Sequence, residues 1–218
     1  MLEKLPEVVG QVLRNTRAGL EKIAFHKVDL RNGTGAIEVK SLAFSDHAPI
    51  PVRYTADGEA ISPPLQWSGV PGNAATIVLI VEDADSPTPE PMVHAIAVDL
   101  NPAEPALAEG ALKSPDHAGN DDLKTGRNSY LKQAWLPPDP PPGHGPHRYA
   151  FQIFALTGSD DALPDVPGRD DVLEALEERA IASGCLIGIY ERDNTIKVGG
   201  AEIAKELPAE APADLAPA

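Results

Sequence analysis

Apolar side chains at Leu5, Val8, Val9, Val12, Leu13, Leu20 and Ile23 recur at intervals of three and four, which lays one stripe along a helix over residues 3–24. Such a stripe has to be covered, and docking on the chain's own sheet or pairing with a second copy in a homodimer would each cover it. Beyond residue 36 the period changes. Short apolar or alternating runs at residues 37–44, 76–83, 92–100, 148–156 and 185–190 are separated by turn residues, which predicts strands. Ile77, Val78, Leu79, Ile80 and Val81 are continuously apolar, so residues 76–83 are expected to be covered on both faces at the centre of a sandwich. Ser62-Pro63-Pro64-Leu65-Gln66-Trp67 and Gly69-Val70-Pro71-Gly72 lie between the strands and read as turns with an anchoring Trp67. Val172, Leu173, Leu176 and Ala180, behind an acidic first turn and ahead of Gly184, predict a late helix over residues 170–183. The expected organisation is an N-terminal amphipathic helix to residue 24, a β domain over 25–205, and a disordered Ala/Pro-rich acidic tail over 206–218.

Composition narrows the class. With 23 Pro and 18 Gly in 218 residues and few helical patterns, the chain reads as mainly β and rich in loops. A single cysteine, Cys185, excludes zinc ribbons, iron–sulfur sites and a disulfide framework, and suits a reducing compartment. The balance of 18 Lys and Arg against 33 Asp and Glu, a net charge of −15, repels polyphosphate backbones and anionic bilayers, so neither nucleic acid nor a membrane surface is an expected partner. The N-terminus lacks a secretory pattern and no apolar run approaches about 18 residues, so a cytoplasmic location is expected.

Candidate chemistry collects at strand ends. Alternation in residues 92–100 places His94 with Ile96, Val98 and Leu100, and in the next long strand it places His147 and Tyr149 with Phe151 and Ile153. Both histidines are expected to project the same way. Asp83 closes the central strand on the face of Ile77, Leu79 and Val81, and Ala84-Asp85-Ser86-Pro87 follows as a turn. Residues 104–134 form a long polar loop, and residues 137–146 (Pro-Pro-Asp-Pro-Pro-Pro-Gly-His-Gly-Pro) form a proline-stiffened one that reads as a rigid wall. Taken singly, a buried histidine is usually satisfied by a carbonyl, and an Asp at a strand end is usually a turn residue. Polar strand ends converging beside a stiff wall point instead to a small-ligand pocket.

Asp83-Ala84-Asp85-Ser86-Pro87, Val93-His94 and the run Pro140-Pro141-Pro142-Gly143-His144-Gly145-Pro146-His147-Arg148-Tyr149 resemble the two signature regions of the phosphatidylethanolamine-binding protein family, in particular its bacterial Raf-kinase-inhibitor-like branch. Ala48-Pro49-Ile50-Pro51, Tyr54, Asp57-Gly58-Glu59 and Trp67-Ser68-Gly69-Val70-Pro71 follow in the branch's order, so the resemblance covers about residues 38–192. It implies a β-sandwich of a large and a small sheet with few helices, and a shallow pocket for phosphate, phosphoryl head groups or similar small anions. Matched residue by residue, it carries the ligand-binding role onto Asp83, Pro87, His94, His147 and Tyr149, with Asp85 supporting the turn. Ala84 and Ser86 stand where the family often has proline and alanine.

Two imidazoles, the Tyr149 hydroxyl and backbone N–H groups of the Gly/Pro loop would supply donors to an anion. A carboxylate beside them is tolerable if Asp83 orients a histidine or accepts from a protonated phosphate oxygen, which favours a monoanion. Arg148, by parity, points to the opposite face. No cofactor or metal is expected. Three further readings stay open: regulation of a protein partner through a phosphorylated segment, acid/base catalysis by the Asp/His pair, and a metal hydrolase built on His94, His147, a carboxylate and His144.

Overall fold

The computed structural model describes residues 6–30, 35–114, 116–159 and 163–192. The expected tail over 206–218 lies outside them. In chain order the elements are helix α1 (Glu7–Leu13), helix α2 (Ala24–Lys27), strands β1 (Gly35–Ala36), β2 (Glu38–Lys40), β3 (Ala48–Pro49), β4 (Leu65–Ser68), β5 (Thr76–Asp83), β6 (Met92–Leu100), β7 (Ala106–Leu107), β8 (Lys124–Thr125) and β9 (His147–Leu156), helix α3 (Arg169–Arg179) and strand β10 (Ala180–Tyr190). Among the described residues a seven-stranded sheet runs β1-β10-β9-β5-β6-β8, with β3 also on β10, and a three-stranded sheet runs β2-β4-β7. The chain is therefore mainly β, a large sheet on a small one, with few helices.

The two periods of the sequence become two cores on either side of the large sheet. Ile77, Leu79 and Val81 of β5 and Phe151 and Ile153 of β9 pack toward Val39, Leu65 and Trp67 of the small sheet. Val78 and Ile80 face the other way, against Val172 and Leu176 of α3 and Ala24 and Val28 of α2. β5 is buried along nearly its whole length, as its unbroken apolar run requires.

Three local expectations need correction. The predicted helix over residues 3–24 is broken. α1 ends at Leu13, and the chain between α1 and α2 spends its backbone groups on the rest of the protein: Ala18 N–H donates to Ser86 O at 3.0 Å and Gly19 N–H to Ala84 O at 2.7 Å. Gly19 sits at φ 105°, which a side-chain-bearing residue rarely adopts, so a continuous helix cannot pass through it. The stripe divides accordingly: Ile23 and Leu20 pack with Ala84 and Ala150, while Val8 and Val12 are exposed.

The late helix stops at Arg179, and Ala180 already pairs with Leu156 in the sheet. Pairing with β9 outcompetes about one further turn of helix, and Gly184 is no stop signal: it lies within β10, where the Ile37 carbonyl occupies the space a Cβ would take. The loop over 104–134 is not structureless, since it contributes the edge strands β7 and β8.

Candidate functional site

A pocket opens at one end of the large sheet. It is lined by Asp83 from β5, Ser86 and Pro87 from the following turn, Met92 and His94 from β6, Tyr130 from the long loop, Leu136 just ahead of the proline loop, Pro137, Asp139, Pro140 and Pro141 within it, and His147 and Tyr149 from β9. Its volume is about 20 Å³, room for one water-sized group. Five of the six expected site residues, Asp83, Pro87, His94, His147 and Tyr149, meet there. Asp85 does not line it.

His94 arrives by a route that strict alternation does not give. Ile96 and Val98 face the helix-side core, whereas His94 rings against Tyr149 at 5.1 Å and Trp135 at 6.2 Å, on the side between the sheets, and Leu100 belongs to that side too. The β5–β6 register shifts twice, between Val81 and Glu82 and between Ile77 and Leu79. Each shift adds a residue to β6, and an extra residue reverses which face the following side chains take. The bulges therefore separate His94 and Leu100 from Ile96 and Val98, correcting the expectation that all four share one face, while both site histidines do meet in the pocket.

Asp83 holds the site's electrostatics. Its Oδ1 accepts from Asp85 N–H at 2.9 Å, closing the turn, and its Oδ2 lies 2.7 Å from His147 Nδ1. His147 Nε2 in turn lies 2.7 Å from His144 Nδ1. Both ring nitrogens of His147 are thus engaged by the protein, so it is not the direct imidazole donor expected from its type. His144 is wholly buried, and its absence from the expected ligand set reflects a partner far away in sequence. The signal for it was its place three residues before His147 in the proline loop.

Asp85 is 1% exposed and serves the scaffold. Arg148 grips it with Nε at 2.7 Å, Nη2 at 2.7 Å and its backbone N–H at 2.9 Å, and Arg17 adds a contact at 3.0 Å. Burial raises the Asp85 carboxyl's pKa, but the two guanidinium groups outweigh it and hold the group below the usual carboxylate range. Arg148 faces away from the pocket, as alternation predicts. The two departures from the family's turn also find reasons: Ala84 N–H donates to Arg148 O at 2.9 Å, which a proline could not do, and Ser86 Oγ accepts from Met92 N–H at 3.1 Å.

Two buried polar atoms lining this pocket have no protein partner, His94 Nε2 and Tyr149 Oη. His94 Nδ1 is 2.6 Å from the Leu136 carbonyl, which only accepts, so Nδ1 carries the proton and Nε2 presents a lone pair. Burial, only partly opposed by the Asp83 charge, pushes His94 below the usual imidazole range and keeps it neutral. Burial, reinforced by Asp83, pushes the Tyr149 phenol well above its usual value, so its hydroxyl remains a donor. The donors expected from the Gly/Pro loop do not line the pocket: prolines 137, 140 and 141, which have no N–H, face it, and Gly143 and Gly145 do not. Asp139, an acid set among prolines, pairs with Arg192 at 2.7 Å.

The arrangement does not fit a metal. His147 is saturated, one nitrogen of His94 is committed to Leu136, and among the described residues no three His, Cys, Asp or Glu side chains are placed to share an ion. No described helix is long and apolar enough to cross a membrane.

A sequence model described as phosphatidylethanolamine-binding protein matches residues 40–191. This chain belongs to the phosphatidylethanolamine-binding protein family. Relatives include the UPF0098 protein of Methanothermobacter thermautotrophicus, 40% identical over 160 residues that span 72% of this chain and 99% of that one, and the UPF0098 protein of Chlamydia trachomatis, 37% identical over 163 residues spanning 72% and 100%. The crystal structure of the phosphatidylethanolamine-binding protein homologue CT736 from Chlamydia trachomatis superposes with a TM-score of 0.63 at 36% identity, covering 73% of this chain and all of that one. Escherichia coli YbcL, described as a member of the mammalian family, shares the fold with a TM-score of 0.65 at 23% identity, covering 72% and 99%.

Proposed function

We propose that this family member binds a small phosphoryl monoester, or inorganic phosphate, as its singly protonated anion. The observation that carries the reading is the unpartnered pair at the pocket, an acceptor at His94 Nε2 beside a donor at Tyr149 Oη. A buried acceptor and a buried donor left open in a native pocket select a ligand that offers both complements. A protonated phosphoryl group does so: its P–OH donates to His94 and its P–O⁻ accepts from Tyr149. A fully ionised anion would leave His94 Nε2 opposed by a second lone pair.

The cavity admits the tip of such a group as it stands. Seating a whole phosphoryl group calls for one wall to yield, and Tyr130, at 41% exposure, is the least confined of the rings around it.

Titration calorimetry of the full chain at pH 6 with inorganic phosphate, methyl phosphate and sulfate tests the reading. The two phosphates should bind, and their affinity should fall as the ligand's own second proton leaves near pH 6–7. Sulfate, the same shape without that proton, should bind at least about tenfold more weakly, the order expected for one unsatisfied buried acceptor. Equal affinity for sulfate and phosphate would sink the proposal, as would phosphate binding unchanged in Tyr149→Phe.

A further inference from the structure

The back of the site is closed by chain that precedes the family-matched region, which begins at residue 40. His144 Nε2 lies 2.8 Å from Leu13 O and 3.3 Å from Thr16 O. Arg17 donates to Pro146 O at 2.8 Å and His144 O at 3.1 Å, and its Nη1 reaches Asp85 at 3.0 Å. Gly10 is buried against the proline loop so closely that a Cβ would overlap the Pro142 carbonyl. These contacts meet the pocket's machinery at His144, the residue hydrogen-bonded to His147.

We propose that residues 10–19 form a strap that completes the site from behind, with His144 as the positioning residue that keeps Nε2 of His147 protonated. Carbonyl oxygens accept and never donate, so Leu13 and Thr16 hold the His144 proton on Nε2. Its Nδ1 then offers a lone pair to His147, which must answer with Nε2–H. One more proton lies between His147 Nδ1 and Asp83 Oδ2, 2.7 Å apart, because two lone pairs cannot face each other at that distance. The Asp83–His147 pair is therefore net neutral. Without the strap, His144 can move its proton to Nδ1, His147 Nε2 becomes the acceptor, and the pair keeps one proton and a full negative charge beside the ligand.

The groups around the dyad agree with this assignment. Burial, with the His147 charge next, lowers the His144 pKa, which keeps it neutral. Asp85 is neutralised by Arg148 and Arg17, Asp139 is paired with Arg192, and His94 from β6 is neutral. Arg17, on the strap and hydrogen-bonded to the His144 carbonyl, adds positive charge that disfavours a second proton on His144. The consequence for binding rests on the anion reading above: the strap removes a negative charge from the pocket, so its loss should weaken phosphate binding by about tenfold or more.

The test is long-range ¹H–¹⁵N spectroscopy of ¹⁵N-histidine-labelled full-length protein between pH 6 and 9, paired with phosphate titration. His147 Nε2 should carry a proton in the unmodified chain and in His144→Asn, whose Oδ1 can replace the Nδ1 acceptor. It should lose that proton in His144→Leu. Gly10→Val, which leaves His144 in place and pushes the strap off the Pro142 carbonyl, should move His147 the same way. Phosphate affinity should drop in the last two variants and stay within about twofold in His144→Asn. An unprotonated Nε2 in the unmodified chain, or a protonated Nε2 in every variant, overturns the strap's role. Absence of phosphate binding in the unmodified chain overturns its consequence for the ligand and the anion reading with it, while the nitrogen shifts still decide the positioning role.

Discussion

Glu82, one residue before Asp83, is fully buried on the helix side of β5, where its carboxylate ties the strand that ends at the site to its neighbours. Its Oε1 lies 2.6 Å from Arg169 Nε, and its Oε2 accepts from Ala24 N–H at 2.7 Å and Gln152 Nε2 at 2.9 Å. The carboxylate thus joins α2, α3, β5 and β9. In Glu82→Gln the amide oxygen can keep the Ala24 and Gln152 bonds, which turns the amide nitrogen toward Arg169, donor against donor, and leaves a guanidinium only 13% exposed without its nearer, buried counter-charge. Breaking a buried pair by removing one partner costs about 3–5 kcal/mol. The lower end applies, because Arg169 retains Lys22 O at 2.6 Å and Glu90 at 3.3 Å. With a urea slope of about 2–3 kcal/mol/M, a loss of about 3 kcal/mol moves the unfolding midpoint down by roughly 1–1.5 M at unchanged slope. Arg127→Gln is the control: its pair with Asp171 spans 3.4 Å between half-exposed groups and should cost at most about 0.5 kcal/mol. A Glu82→Gln midpoint within about 0.3 M of the parent would refute the reasoning that this ion pair braces the contact of β5 with α3.

Three further outcomes are expected. His94 and His144 have lowered pKa values while the unfolded imidazoles titrate near 6.5, so below that pH the unfolded chain binds more protons; stability should be full above about pH 6.5 and fall on acidification by up to about 1.4 kcal/mol per pH unit for each, and a thermal midpoint constant from pH 7.5 to 5.5 would contradict this. Burial pushes the thiol of Cys185, which is only partly covered, up to about 12, so a thiol-specific disulfide reagent at pH 8 should label the native protein far more slowly than the urea-unfolded chain, and equal rates would contradict the raised pKa. Tyr130→Ala should speed phosphate association severalfold with little change in thermal stability, since the ring is 41% exposed; an unchanged association rate would mean that another wall admits the ligand.

The long central strands and most of the pocket were legible in the chain itself, whereas β4, within a segment that reads as a turn, and the short strands β3, β7 and β8 were not. β5 and β6 fall where the apolar runs put them, and a strand's period of two depends only on neighbouring residues. The turn after Asp83 and the proline loop were legible too, because Asp, Ser and Pro restrict the backbone locally. Five expected site residues converge as those local rules imply. What sequence could not decide lies in contacts between distant segments. The face of His94 depends on bulges defined by pairing with β5, the broken helix depends on N–H groups claimed by Ala84 and Ser86, and the end of α3 depends on β9 taking Ala180 into the sheet. The protonation of His147 is the furthest from the sequence, since it is set by carbonyls of Leu13 and Thr16 more than 120 residues away, through His144. Spacing along the chain encodes which side chains could meet; only closure of the tertiary structure decides which donor faces which acceptor, and so where the proton resides.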